Sequence, residues 1–342
     1  MTRSPNARAA GALLLLLTAL PTAAAQERAP EPARARLGVF FWHDSPNDLA
    51  TLHGIRQGLE ASGRPFELIE RRAGADAVRA NAMLAELRAE GCALVFAMGT
   101  QAALIALQAL PDLPIVFAAV QHPVASGVVP DWAGAHGRVA GASYWIEPAA
   151  VLRVFRMAVP GLRRLGMLRS LPTGVVSDAE LLAMHDHLGE AAAPDVELLE
   201  AVAADAADIP RAVGVLIERG ADAIWIPNDL TIYLSLDRVR EGLRGARVPL
   251  VATALRAARA DAVVGVTVDF ALHGRRTAAL ALRILDGAAP GDLPVDTMQS
   301  YRVIANLRAA RRAGCALPLS LLALADELIA DPATADGDAR DR

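Results

Sequence analysis

The sequence predicts an α/β protein with two Rossmann-like lobes, each built on a parallel β-sheet. From Leu37 onward, short apolar runs typical of buried strands alternate with amphipathic runs typical of helices. A second round of this alternation begins after a helix predicted at 148–159. With 342 residues, 54% of them apolar, the chain is long enough to bury two cores.

The first half contains five predicted strands separated by helices. Apolar residues three or four positions apart predict the helices, as with Leu52, Ile55 and Leu59 in the first one. Gly63 and Gly91 are expected to end the first two helices. The predicted strands lie at 37–42, 66–70, 94–98 and 139–143, and in the run that starts at 114.

The second half repeats the architecture without repeating the sequence, with strands predicted at 164–169, 196–199, 223–226 and 248–252. We expect a strand at 263–268 and a helix at 270–285 to return to the first lobe. The predicted lobes are therefore 37–145 with 255–290, and 146–254 with 291–330. Three crossings between lobes favour a hinge that closes around a ligand.

The two ends of the chain lie outside this pattern. Arg3 and Arg8, the apolar run 9–20 and the small residues 23–25 predict a cleavable signal peptide at 1–25. The apolar run is shorter than the ~20 residues that a membrane-spanning helix needs. We therefore expect export, most simply to a periplasm, and a disordered polar tail at 331–342.

Composition argues against several classes of function. The net charge is −4 without a basic block, so nucleic-acid binding has no support. All 34 basic residues are arginine, which excludes a P-loop lysine or a Schiff-base lysine. No nucleophile elbow, zinc-protease helix or dinucleotide glycine fingerprint occurs, and we expect a monomer without enzymatic activity or a cofactor.

Neither the cysteines nor the clustered histidines indicate a metal site. Only Cys92 and Cys315 are present, which leaves open one bridge or two thiols. His185 and His187 point to different faces of a predicted helix, so we interpret them as solvated.

The turn at Gly99 and Thr100 is the first candidate for a binding site. It follows the predicted strand 94–98, and ligands of open parallel sheets lie beyond the carboxyl ends of the strands. Thr100 is expected to cap the following helix, whose first N–H groups suit an anion. Aromatic residues at other strand ends, Trp42 and Tyr144, predict a cleft for a planar or apolar group, although core packing explains them as well.

The sequence resembles the ABC transporter substrate-binding proteins that include tryptophan- and other amino-acid-binding lipoproteins, a branch of the type I periplasmic binding fold. The resemblance is collinear and covers nearly all of the chain after the signal peptide. The matching segments are 43–46, 98–103, 114–124, 227–229, 265–269, 274–278, 304–310 and 325–329.

The resemblance implies two lobes joined by a hinge, a small molecule bound between them without catalysis, and delivery to an ABC permease with its ATPase. It also implies that Gly99, Thr100 and Asp229 line the cleft, where Asp229 would hold an ammonium group; capping of the next helix is the alternative role. The ligand expected is amino-acid-like or an aromatic or apolar carboxylate.

Three departures from the family pattern affect the ligand. His122 stands where the family commonly has an aspartate. The turn 170–174 reads Ser-Leu-Pro-Thr-Gly where the family often has Asn or Glu, and 253–256 reads Thr-Ala-Leu-Arg where acidic and hydroxyl groups are common. A titrating histidine in place of a fixed charge indicates that the ligand cannot be copied from the family.

The candidate ligand-binding residues are Trp42, His43, Asp44, Gly99, Thr100, Gln101, His122, Ser143, Tyr144, Ser170, Asp229, Thr253 and Asp269. His43 and Asp44 also suit an ordinary surface turn. Two other functions share the predicted fold. One is a ligand sensor that presents its closed form to a membrane receptor, and the other is a periplasmic enzyme with His43 or His122 as a base.

Overall fold

The computed structural model describes residues 34–133, 137–171, 175–189 and 195–330. The predicted signal peptide at 1–25 and the predicted tail at 331–342 lie outside these ranges. Within them, no helix is both long enough and apolar enough to cross a membrane.

The described residues alternate between strands and helices as the sequence predicts. The strands are β1 Ala35–Phe41, β2 Phe66–Arg72, β3 Leu94–Met98, β4 Ile115–Val120, β5 Val139–Ser143, β6 Arg164–Ser170, β7 Glu197–Ala203, β8 Ala223–Ile226, β9 Leu250–Ala252, β10 Val264–Thr267, β11 Asp296–Thr297, β12 Arg302–Asn306 and β13 Glu327–Ile329. The helices are α1 Pro46–Ala61, α2 Ala77–Ala89, α3 Thr100–Ala109, α4 Pro148–Ala158, α5 Val175–Gly189, α6 Ile209–Glu218, α7 Leu230–Leu234, α8 Leu236–Leu243, α9 Leu255–Ala260, α10 Phe270–Leu285, α11 Leu307–Ala313 and α12 Leu319–Leu324.

Two separate sheets confirm the predicted α/β class. The first has the order β11-β5-β4-β3-β1-β2 and is parallel throughout. The second has the order β13-β12-β10-β9-β8-β6-β7, and only β10 and β12 run antiparallel. The carboxyl ends of parallel strands in each sheet lie along one edge, where ligands of such folds bind.

Each sheet is covered by apolar packing on both faces. In β3, Phe96 packs into one cluster and Ala97 into another, and in β8 Ile224 and Trp225 divide in the same way. Successive side chains of a strand point to opposite faces, so near-continuous apolar runs are what a doubly covered parallel sheet requires. Cys92 and Cys315, whose pairing the sequence leaves open, are free thiols.

The predicted return of the chain to the first lobe at 255 is wrong for β10. This strand pairs with β9 and β12 in the second sheet. Strands joined by a short helical crossover usually lie side by side, and α9 makes such a connection between β9 and β10. The assignment of 291–330 to the second lobe is wrong for β11, which pairs with β5 in the first sheet. An apolar run predicts a strand but does not specify its neighbours.

Helix α10 leaves the second sheet and packs against α1 beside the first one. A Cβ atom built on Gly54 of α1 would lie 2.0 Å from the carbonyl oxygen of Ala271, and one built on Gly274 would lie 2.0 Å from that of Thr51. The two backbones are therefore in direct contact, which only glycine permits. This contact places the start of α10 at the edge of the first sheet.

Candidate functional site

A narrow cavity lies between the carboxyl ends of the two sheets, where the lobes leave only about 10 Å³ open to the centre of a water molecule. The first-sheet side contributes polar groups of Asn47, Gln121 and Tyr144. Polar groups of the second-sheet side come from Glu180, Asn228 and Thr253, and the crossing segments add the apolar side chains of Ile146, Val268 and Phe270. Polar groups that converge beside apolar and aromatic side chains in a cleft are typical of a small-molecule site.

Glu180, on α5, is the centre of the polar side of the cavity. Its Oε1 accepts hydrogen bonds from the Thr253 hydroxyl at 2.8 Å and from Gln121 Nε2 at 3.0 Å. Its Oε2 accepts one from the backbone N–H of Asn228 at 3.0 Å. The side chain is only 5% exposed. Because Gln121 follows β4 of the first sheet, this carboxylate joins groups attached to both sheets.

The neighbouring groups of Gln121, Asn228 and Thr253 all donate hydrogen bonds to Glu180, so this position requires an acceptor. Trp225 Nε1 donates to the Thr253 hydroxyl oxygen at 3.1 Å, so that hydroxyl uses its own proton toward Glu180. The pKa of Glu180 is raised, because the effect of burial outweighs the lowering by the hydrogen bonds from Thr253, Asn228 and Gln121. No basic side chain lines the cavity within the described part of the chain. A buried carboxylate in this position favours a positively charged ligand group.

Gln121 and Tyr144 complete the first-sheet side of the cavity. Gln121 is 5% exposed, and its Oε1 has no hydrogen-bond partner among the described residues. The ring of Tyr144 packs edge-on against Phe270 with centroids 5.2 Å apart, and burial raises the pKa of its hydroxyl. The cavity therefore combines an unused acceptor with an aromatic surface.

Asp229 lies outside the cavity lining, although a role in binding is predicted for it. Its carboxylate accepts hydrogen bonds from Ser170 N at 2.8 Å, Ser170 Oγ at 2.7 Å and Ile232 N at 3.2 Å. It caps α7 and is 2% exposed. Ser170, another predicted site residue, is its hydrogen-bond partner, so the structure favours the capping alternative for Asp229.

Replacing Asp229 by alanine is expected to lower the free energy of unfolding by about 2–4 kcal/mol, because a cap is lost and both Ser170 donors lose a buried acceptor. Asp76 provides a matched control, since it caps α2 at an exposed position without a Ser170-like partner. Asp76→Ala should cost about 1 kcal/mol. Denaturant unfolding of both variants measures the difference, and equal losses would show that the Ser170 bonds contribute nothing.

The turn at Gly99 differs from the prediction in its cap. Gly99 is the N-cap of α3 with φ of 86°, and no side chain caps the helix, so the predicted capping by Thr100 is wrong. A positive φ at the cap favours glycine, which has no side chain to accept from the first N–H groups of the helix. Asp48 lies beside this turn: a Cβ on Gly99 would be 3.8 Å from its Oδ1. Burial raises the pKa of Asp48. The expected anion site therefore faces a carboxylate.

The remaining predicted residues fall into three groups. Tyr144 and Thr253 line the cavity, and Ser143 lies beside it, where its hydroxyl donates to the Gln121 carbonyl. His122 lies in a separate groove, between the rings of Trp132 at 4.9 Å and Trp145 at 4.6 Å. The others are away from the cavity lining: Trp42 packs on the first-sheet core, His43 and Gln101 are exposed, Asp44 bonds Arg72 at 3.1 Å, and Asp269 caps α10.

Glu180 and Gln121 are the main residues missing from the sequence-based site. A signal for Glu180 exists, because it lies on the buried stripe of α5 with Ser177, Leu181 and Met184. An acidic residue on an apolar stripe is rarely buried without a role. Across the described residues, no group of three or more potential ligands is arranged to hold a metal ion.

Comparison with known proteins agrees with the two-sheet fold. The family model described as ABC transporter substrate binding protein matches residues 37–329. The chain belongs to this family. Its two sheets are the two lobes of the type I periplasmic binding fold, and the members of this family are substrate-binding proteins rather than enzymes.

Individual relatives are distant in sequence. A tyrosine-binding protein of Clostridioides difficile (strain R20291) is 25% identical over 213 residues, which make up 62% of this chain; the match spans 60% of that relative's length. A solved ABC domain from Streptococcus pneumoniae in complex with L-Trp has 24% identity and a TM-score of 0.72, covering 86% of this chain and 100% of that one. A ligand-free, open substrate binding protein from Clostridium difficile has 20% identity and a TM-score of 0.73, covering 86% and 99%.

Proposed function

We propose that this member of the substrate-binding family is a periplasmic protein that encloses an aromatic or apolar amino acid between its lobes and delivers it to an ABC permease with its ATPase. The observation that carries the proposal is the inter-lobe cavity centred on Glu180. The predicted signal peptide supports export, and the family supports the partnership with a transporter.

The polar end of the cavity supports a protonated amine on the ligand. Glu180 is a buried carboxylate with neutral donors around it and no cation among the described lining residues. The unpartnered Oε1 of Gln121 is a second acceptor at the same place. An ammonium group donates up to three hydrogen bonds, and charge-assisted bonds are the stronger kind.

The apolar and aromatic part of the cavity lining supports an aromatic or apolar side chain on the ligand. Tyr144, Phe270, Ile146 and Leu255 provide apolar surface there. The complex with L-Trp and the tyrosine-binding relative are consistent with ligands of this kind. The carboxylate of the ligand then depends on neutral donors such as the amide of Asn228, because no arginine lines the cavity in the described residues.

Isothermal titration of the chain without residues 1–25 tests the proposal. We expect L-tyrosine, L-tryptophan or L-phenylalanine to bind at about micromolar Kd, which corresponds to about 8 kcal/mol. The des-amino analogue of the bound amino acid has the same carboxylate and ring and should bind far more weakly. Tighter binding of the des-amino analogue would contradict an amine site at Glu180, and a lack of binding by all three amino acids would reject the ligand class.

A further inference from the structure

His273 lies one turn into α10 and is fully buried. Its Nε2 accepts a hydrogen bond from the backbone N–H of Ala119 at 3.1 Å, across 154 residues of sequence. Because Nε2 is the acceptor, the neutral ring carries its proton on Nδ1, which has no partner among the described residues. Burial, assisted by the charge of Arg276, lowers the pKa of His273 to about 4, so the ring is a neutral acceptor at physiological pH.

Ala119, the partner of His273, has an unusual backbone conformation. Its φ is 54°, in the left-handed region that a residue with a Cβ atom rarely adopts. The pairing of β4 with β5 shifts register between Phe117 and Val120, so Ala119 forms a bulge. Bulges redirect the side chains that follow them and persist only where surrounding contacts hold them.

The residue that this bulge redirects is Gln121. Two contacts to its segment come from the end of β5: Tyr144 N donates to the Val120 carbonyl at 3.2 Å, and the Ser143 hydroxyl donates to the Gln121 carbonyl. The Gln121 amide then reaches Glu180 on the other lobe. His273 holds the same segment through its hydrogen bond with Ala119.

We propose that His273 is a positioning residue for ligand binding: by accepting the Ala119 N–H it maintains the β4 bulge that places Gln121 against Glu180 and the ligand. His273 does not itself line the cavity. Because α10 begins directly after the chain leaves the second sheet, one helix links the lobe crossing to this bulge. The role in binding rests on the proposed function, whereas the contact with the bulge does not.

Two substitutions separate the acceptor from the bulk of the ring. His273→Leu keeps an apolar side chain but removes the acceptor, and His273→Gln offers an oxygen at a similar reach. Hydrogen exchange at the Ala119 amide of the ligand-free protein reports the bulge. We expect the protection factor of the Ala119 amide to fall at least about tenfold in the leucine variant. In the glutamine variant it should stay within about threefold of the wild-type value. Unchanged protection in the leucine variant would overturn the proposal.

Ligand affinity of the same variants, measured with L-tryptophan and L-tyrosine, tests the link to Gln121. The leucine variant should bind about tenfold more weakly and the glutamine variant nearly as the wild type. In a Gln121→Ala background, adding His273→Leu should weaken ligand binding by less than a further factor of about three, because its effect on binding passes through Gln121. A tenfold loss in both backgrounds would show a general packing effect and refute the positioning role.

A measurement on the wild type covers the case of a leucine variant that does not fold. The ¹⁵N shifts of the His273 ring should show the tautomer with the proton on Nδ1 and an unprotonated Nε2. A proton on Nε2 would refute the acceptor role. If the wild type binds neither amino acid, the proposed ligand class fails, while the exchange and ring measurements still decide whether His273 holds the bulge.

Discussion

Replacing Glu180 by glutamine is expected to weaken binding of an amino acid by about 10- to 100-fold. The change retains the size of the side chain and removes the negative charge that faces the ligand amine. A hydrogen bond to a charged group contributes about 1.5–3 kcal/mol, and each 1.4 kcal/mol is a factor of ten in Kd. Titration calorimetry at neutral pH with the best-binding amino acid measures the loss.

Two controls distinguish a lost charge from a disturbed fold. Glu218→Gln removes an exposed carboxylate from α6 of the same lobe and should leave affinity unchanged. The des-amino analogue of the ligand should bind Glu180→Gln no more weakly than it binds the wild type, since it has no amine to lose. If the analogue and the amino acid lose affinity equally, Glu180 supports the shape of the cavity and does not recognise the amine.

The sequence suggests Asp229 as the acidic residue of the site, whereas the structure places Glu180 there. This difference shows which part of the site cannot be predicted from the sequence. Asp229 follows a strand in a segment typical of the family, and such a residue suits a cap or a ligand contact equally well. The choice depends on Ser170, which β6 brings next to it from 59 residues away. The sequence of α5 shows which of its residues are buried, Glu180 among them. It does not show that Gln121 of the first lobe packs against Glu180, because that contact depends on how the two lobes meet.

For the fold, the sequence predicts where strands and helices lie but not which of them pack together. The spacing of apolar residues locates β10 and α10 correctly, because this spacing depends on which residues of each element are buried. It does not reveal that β10 joins the second sheet while α10 packs on the first lobe, because pairing is a long-range property. The two-residue strand β11 is too short for any periodic signal. The left-handed conformation of Ala119 has no signal in the residue type at all.

Gly54→Ala is expected to be among the most destabilising single methyl additions in the first lobe. Alanine is a better helix former than glycine by about 1 kcal/mol, so propensity alone predicts a gain. The new methyl group would instead lie 2.0 Å from the Ala271 carbonyl oxygen, a backbone atom that moves only if α1 and α10 separate. Overpacking of this kind costs about 1–3 kcal/mol and occasionally more. Because the obstacle is a backbone atom, we expect a cost at the upper end of this range, a net loss of about 2 kcal/mol and a Tm lower by about 4–8 °C.

Gly214→Ala in α6 is the matched control, because a Cβ built there meets no atom within 4 Å. That variant should gain stability by about 0.5–1 kcal/mol, so thermal unfolding of the two variants should change in opposite directions. Equal stabilisation of both would show that the backbones of α1 and α10 are not in contact at Gly54.

The contact between α1 and α10 also affects ligand binding, since α10 carries Phe270 at the cavity and His273 at the bulge. Separation of the two helices should therefore lower ligand affinity in Gly54→Ala even below its Tm, whereas Gly214→Ala should bind as the wild type does.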